Sequence, residues 1–242
     1  MKLHALPLLL CGLCLLPISH AQQVRGVNPA DIDSRFDIIA KSIKLDGGGT
    51  TNSLTLKYDY KLNNYWGLNF EFPTYNRLSS PRLSASGNGD LFARARWITP
   101  GAAGWTYGAS AEVVLPTASK DPLGTGRYQL NVAALLVRAV SPRFILAGAI
   151  KQTSSVGGDE KRPSFSNTDI RVVPVFILDD GWAINGELRQ TWEHKTHTTW
   201  QKAEVVLNKQ LSAQWASSLS FSRDFGNRKD QGAFSLALKY FF

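Results

Sequence analysis

Leu54-Thr55-Leu56-Lys57-Tyr58-Asp59-Tyr60-Lys61-Leu62 alternates without a fault. Every even-numbered residue is apolar or aromatic, and Thr55, Lys57, Asp59 and Lys61 stand between them. In an extended chain successive side chains point to opposite faces, so this stretch reads as a strand with one apolar and one charged face. A helical period of 3.6 would scatter the same residues around the axis. The same rule holds in Trp66–Phe72, Trp105–Val113 and Trp182–Leu188, more weakly in Ala203–Asn208 and Trp215–Phe221, and again in the last nine residues.

Followed along the chain, the alternation predicts twelve strands, at 34–45, 51–62, 65–73, 89–99, 104–116, 127–139, 143–154, 167–178, 181–192, 200–211, 214–224 and 231–242. The segments 143–154 and 167–178 are apolar on both faces, and Pro174, which cannot donate to a ladder, predicts a bulge. The connections alternate in length. Asn63-Asn64, Pro100–Ala103, Ser141-Pro142, Asp179-Asp180 and Ser212-Ala213 are tight turns, whereas 46–50, 74–88, 117–126, 155–166, 193–199 and 225–230 are longer and rich in Gly, Ser and charge. Short turns on one side and long loops on the other are the habit of outer-membrane barrels. After residue 21 no apolar run approaches the roughly 18 residues of a spanning helix. A membrane-embedded chain of this kind must close its sheet, because hydrocarbon leaves no partner for an unpaired backbone group. The expectation is therefore all-β: a transmembrane antiparallel up-and-down barrel of about 12 strands over residues 34–242. An even count puts both termini on the periplasmic side, with 22–33 a short periplasmic segment.

Residues 1–21 read as a secretory signal peptide. Lys2 is the only charged residue there, Leu6 to Ile18 is apolar, and Ser19-His20-Ala21 sets small residues at the two positions a signal peptidase reads, so the mature chain begins at Gln22. Leu precedes both Cys11 and Cys14, which argues against a lipoprotein site. The mature chain then lacks cysteine, excluding disulfides, cysteine–zinc sites and a catalytic thiol. The formal charge is +8, or +7 without Lys2. Export removes the nucleic-acid reading of that excess; lipopolysaccharide phosphates outside, or anions in a pore, are the partners it favours.

The seven tryptophans lie near predicted strand ends: Trp66, Trp97, Trp105, Trp182 and Trp215 beside short turns, Trp192 and Trp200 around the loop 193–199. Such placement predicts an aromatic girdle at each membrane interface. Phe234, Leu236, Leu238, Tyr240 and Phe242 form a strictly alternating terminal strand ending on Phe. It resembles the recognition strand read by the barrel assembly machinery.

In such a barrel the polar faces point inward. Lys57, Asp59, Glu71, Arg94, Arg96, Glu112, Asp169, Arg171, Glu187, Arg189, Lys202 and Glu204 are the expected lumen-lining residues, the candidate pathway for an ion or small-molecule solute. Charges of both signs allow two outcomes: a narrow polar channel with a selectivity-setting ladder, or a salt-bridged core with no pore. A surface enzyme acting on lipid or lipopolysaccharide would need a base, and the mature chain offers only His194 and His197, in one polar loop. Two histidines at this spacing are a poor metal site. No catalytic residue, metal or cofactor is assigned.

Gly87-Asn88-Gly89-Asp90 opens one predicted strand, Leu115-Pro116-Thr117 ends another, and Gly124-Thr125-Gly126 opens the next. With the terminal Phe, their order and spacing over roughly residues 50–242 resemble the outer-membrane family labelled for the meta-pathway of phenol degradation. The resemblance implies a barrel channel or transporter, often for hydrophobic or aromatic compounds, without identifying the solute. It carries no catalytic residue.

Overall fold

The computed structural model describes residues 24–46, 48–227 and 230–242; the expected signal peptide lies outside them. The alternating segments become thirteen strands: β1 (Arg35–Leu45), β2 (Thr50–Lys61), β3 (Trp66–Ser79), β4 (Ser84–Gly87), β5 (Leu91–Pro100), β6 (Trp105–Leu115), β7 (Arg127–Ser141), β8 (Phe144–Gly158), β9 (Ser166–Ile177), β10 (Trp182–Glu193), β11 (Thr198–Gln210), β12 (Trp215–Gly226) and β13 (Asp230–Phe241). All pairings are antiparallel between strands that follow each other along the chain, except that β3 passes over β4 to pair with β5, and β1 pairs with β13 from Arg35↔Phe241 upward, so twelve strands close a barrel. The short β4 stands outside that ring and pairs with β3 alone.

Alternation decides which way each residue faces. On β2, Leu54 and Tyr60 are exposed outward with Leu56 and Tyr58 between them, and Lys57 and Asp59 turn into the lumen. An outward face carrying Ile38, Phe72, Val113, Val132, Ile150, Val205, Phe221 and Leu236 exposed is stable only against hydrocarbon. At the short-turn end, Tyr58, Tyr240 and Phe242 stack with centroids 5.9–6.3 Å apart, and Trp215 meets Tyr240 at 4.9 Å. These aromatic contacts span the seam between the first and last strands.

The Asp179–Trp182 turn shows how the short end is built. Asp180 and Gly181 both have positive φ, 55° and 71°, and Trp182 N–H donates to Asp179 C=O at 3.2 Å. This is the primed turn whose twist matches two paired strands, and an Asp-Gly pair satisfies it at little strain.

Three expectations need correction. The chain beyond Pro73, expected to be loop, continues as strand to Ser79 and turns back through β4. A bulge at Thr74, whose neighbours pair as Leu54↔Tyr75 and Thr55↔Pro73, breaks the alternation that would have revealed it. Pro174 makes no bulge: the β9–β10 register is the same on either side of a two-residue gap, with Asn185↔Val175 before it and Leu188↔Val172 after it. Gly186 faces the proline ring there, and a Cβ on it would lie 3.2 Å from Pro174 Cγ, so the wall accommodates the missing donor by an absent side chain. Finally, Trp200 is not in the outer girdle. It has the parity of Lys202 and Glu204 on β11 and borders a lumen cavity with Arg189 and Lys202.

The residues before β1 fold into the short-turn end of the barrel. Val24 and Val27 are 2% and 4% exposed and pack with inward-facing Val137, Ile145, Ala147, Val175 and Ala183. The expected periplasmic segment thus has its apolar side chains inside the barrel mouth. The second apolar face of β8 and β9 has its explanation here: it covers this segment.

Candidate functional site

The lumen is built from side chains of alternate residues, held by ladders that leave them little freedom of level. At the short-turn end Arg35 bridges Asp37 at 3.2 Å and Asp59 at 2.9 Å, and Lys57 lies 3.6 Å from Asp59 and 4.0 Å from Glu71. Farther in, Glu112 is shared. Arg94 Nε donates to it at 2.9 Å, Lys151 Nζ at 2.6 Å, and Asn131 also donates to it. Asp169 accepts from Arg171 at 2.8 Å and from Thr191 at 2.6 Å. Glu187 pairs with Arg189, and Glu204 with Lys202. All twelve expected lumen residues therefore lie on the inward face, and among the described residues all but Arg96 make an ion pair.

Arg96 has a different partner. Its guanidinium donates to the carbonyls of Pro29, at 3.3 Å, and Asp31. Other contacts fix the same segment: Arg25 N–H donates to Gln210 Oε1 at 3.0 Å, Asn185 Nδ2 to Val27 C=O at 3.2 Å, and the Arg25 guanidinium lies 4.3 Å from the centre of the Phe241 ring. Asn28 turns the chain, its Oδ1 accepting from Ala30 N–H and its Nδ2 donating to Asp31. Gly67 leaves the space that Ile32 occupies; a Cβ there would stand 2.8 Å from Ile32 Cγ2. Asp31, in this segment and outside the spanning strands, has its carboxyl pushed above its ordinary value by burial first and by neighbouring Asp33 second.

Three cavities follow the lumen. One of about 140 Å³ lies between residues 26–33 and the Arg35, Lys57, Asp59, Arg94 and Arg96 side chains. The middle one, about 160 Å³, has four cations, Arg94, Arg96, Lys151 and Arg171, and one carboxylate, Glu112, on its wall. Ile98, Ala133, Leu135 and Ala149 give the same cavity an apolar side. The third, also about 160 Å³, lies toward the long loops beside Lys41, Arg189, Trp200, Lys202 and Asp224.

Sequence reasoning missed Arg35, Asp37, Lys41, Lys151, Lys239 and Trp200 as inward residues. Lys151 was recoverable from parity on β8, had both faces of that strand not been apolar. The Gly-rich motifs meet at the long-loop end. Asp90 accepts from Thr125 N–H at 2.7 Å and Ala118 N–H at 3.1 Å, Asn88 Nδ2 donates to Thr117 C=O at 3.0 Å, and Arg162 donates to the Gly124 carbonyl at 2.6 Å. They tie the loops above β3, β5, β6 and β7 together. His194 makes a 2.7 Å hydrogen bond with Thr168 Oγ1, and His197 lies in the exposed turn beyond it. Among the described residues no three His, Cys, Asp or Glu side chains gather as a metal site.

A closed twelve-stranded barrel with an apolar outer wall and a charged lumen defines a transmembrane β-barrel. No family model matches the chain, and no curated protein does. Solved structures do. An outer membrane channel from Pseudomonas putida F1 superposes with a TM-score of 0.70 at 17% identity, covering 91% of this chain and 100% of that one. The NanC porin gives 0.66 at 8% identity over 85% and 98% of the two chains, and the KdgM porin 0.58 at 11% over 85% and 99%. These three are a channel and two porins; at these identities the likeness is one of fold.

Proposed function

We propose that this protein is a bacterial outer-membrane channel passing small molecules that combine an apolar or aromatic body with an anionic group. The middle cavity carries the reading. Its four cations share the lining with Ile98, Ala133, Leu135 and Ala149, so the same space offers contacts to a charge and to an apolar body. Low-dielectric walls around a narrow passage focus the field of those cations. Lumen spaces of about 140–160 Å³ suit small solutes. The barrel neighbours support a channel in general, and the motif resemblance to the phenol-degradation family points the same way on solute class.

The test is flux into proteoliposomes. Benzoate should enter faster than a neutral sugar of similar mass, and Arg94→Gln with Lys151→Gln should remove most of the difference. Equal rates for both solutes would overturn the solute class. A fully folded barrel that passes neither would leave a structural barrel.

A further inference from the structure

The outer wall holds a second feature, independent of the lumen. Register sets Lys44 of β1 beside Gly232 of β13. Continuing the β12–β13 register one step beyond Ser222↔Ala233 sets Arg223 on the other side of that glycine. The next outward row is Ser42, Phe234 and Phe221, and the one below it Ala40, Leu236 and Leu219. Two cations thus flank a position without a side chain, at the long-loop end of an apolar stripe. The upper six of these residues border one open groove. Its floor is aromatic, with the Phe221 and Phe234 rings 5.2 Å apart.

Cations near a strand end commonly reach for the interface, so their presence alone says little. Two further observations matter. Lys44 and Arg223 are both exposed, and among the described residues neither has a carboxylate partner, unlike the paired lumen cations. Strands lie about 4.8 Å apart, so the two Cα atoms stand about 10 Å from each other across the glycine. The Arg223 guanidinium lies 5.7 Å from the centre of the Phe225 ring, and from that spacing two side chains of this length can swing to reach one tetrahedral anion over Gly232.

We propose that this groove binds a phosphorylated lipid of the leaflet at the long loops, of lipid A chemistry. Its phosphate monoester sits between Lys44 and Arg223, and an acyl chain runs down Phe234, Phe221, Leu236 and Leu219. Charge selects the monoester: it carries about −1.5 to −2 at neutral pH and balances two cations, where a phospholipid diester brings only one negative charge. The stripe below the cations supplies what a soluble phosphate could not use.

The experiment measures lipid binding to the mature protein in detergent, with three probes: lipid A, phosphatase-treated lipid A and phosphatidylglycerol. Each cation near an anionic headgroup is worth about 1 kcal/mol, so Lys44→Gln with Arg223→Gln should weaken lipid A binding about 30-fold. Removing the phosphates from the lipid should weaken binding to the wild-type protein comparably, an arm that needs no variant. Arg82→Gln, an exposed cation elsewhere on the long-loop side, should leave affinity unchanged. Equal binding of lipid A before and after phosphatase treatment overturns the proposal, as does wild-type affinity in the double variant. Phosphatidylglycerol binding as tightly as lipid A would overturn the monoester assignment.

Discussion

Arg94 and Arg96 stand two residues apart on one face of β5, yet their partners separate their roles. Arg94 neutralises Glu112 within the wall, whereas Arg96 holds backbone carbonyls of the segment in the barrel mouth. Parity alone made them look equivalent, because it reports the direction of a side chain and not what it meets. Arg94→Gln should move reversal potentials toward cation selectivity, most at low salt, where screening is weakest. Arg96→Gln removes charged donors worth about 1.5–3 kcal/mol from the segment's docking, and should raise mean conductance. Single-channel recording separates the two; the same change in both variants would remove the distinction. Asp31 adds a pH dependence. Burial raises its carboxyl in the docked state, so the docked segment binds a proton more tightly than a free one. Docking is strongest in acid and weakens as pH rises from about 4 through the raised docked-state value. Conductance should therefore fall on acidification, and Asp31→Asn should give the low-conductance behaviour at neutral pH. Conductance rising in acid would contradict this linkage.

At the scale of elements, the sequence was most legible where one face met lipid and the other met water. Leu54–Leu62 is such a case, and its strand is found within a residue or two of where alternation put it. It was least legible in β8 and β9, where the inward face is also apolar. Ile145, Ala147 and Val175 cover Val24 and Val27, a contact more than a hundred residues away in the chain and invisible to local periodicity. The segment itself has two valines in ten residues and no repeating pattern to announce a buried element. Its docking is testable without touching a charge. Gly67→Val would drive a side chain into Ile32, since a Cβ alone already comes within 2.8 Å, and deletion of residues 24–32 would empty the mouth altogether. Both should raise conductance while the heat-modifiable barrel persists; unchanged currents in the deletion would mean that the segment does not restrict the path. The last strand has a separate role to test. Phe242 stacks on Tyr58 across the seam, and its deletion should lower the amount of folded protein in the membrane. Normal levels would count against a terminal recognition strand.

For the whole molecule, closure is the property that the alternation, the absence of a long apolar helix and the even strand count jointly imply, and β1–β13 pairing supplies it. Closure does not by itself say which end faces outward. The short turns at 62–65 and 178–181, the docked segment and the C-terminus all share one end, while the 116–126 and 159–165 connections occupy the other. Longer loops lie outside in barrels of this kind, so the docked segment should face the periplasm. Residues 22–242 contain no cysteine, which makes the question direct. Glu160 and Asn64 are exposed residues at the two ends, and a single cysteine at either should not disturb a ladder. In intact cells a membrane-impermeant maleimide should label Glu160→Cys and spare Asn64→Cys, with both labelled after the outer membrane is opened. The inverse pattern would reverse the barrel. It would place the docked segment at the cell surface and the groove beside Lys44 and Arg223 in the inner leaflet, where lipid A is not found, so this labelling result bears on both the channel and the lipid site.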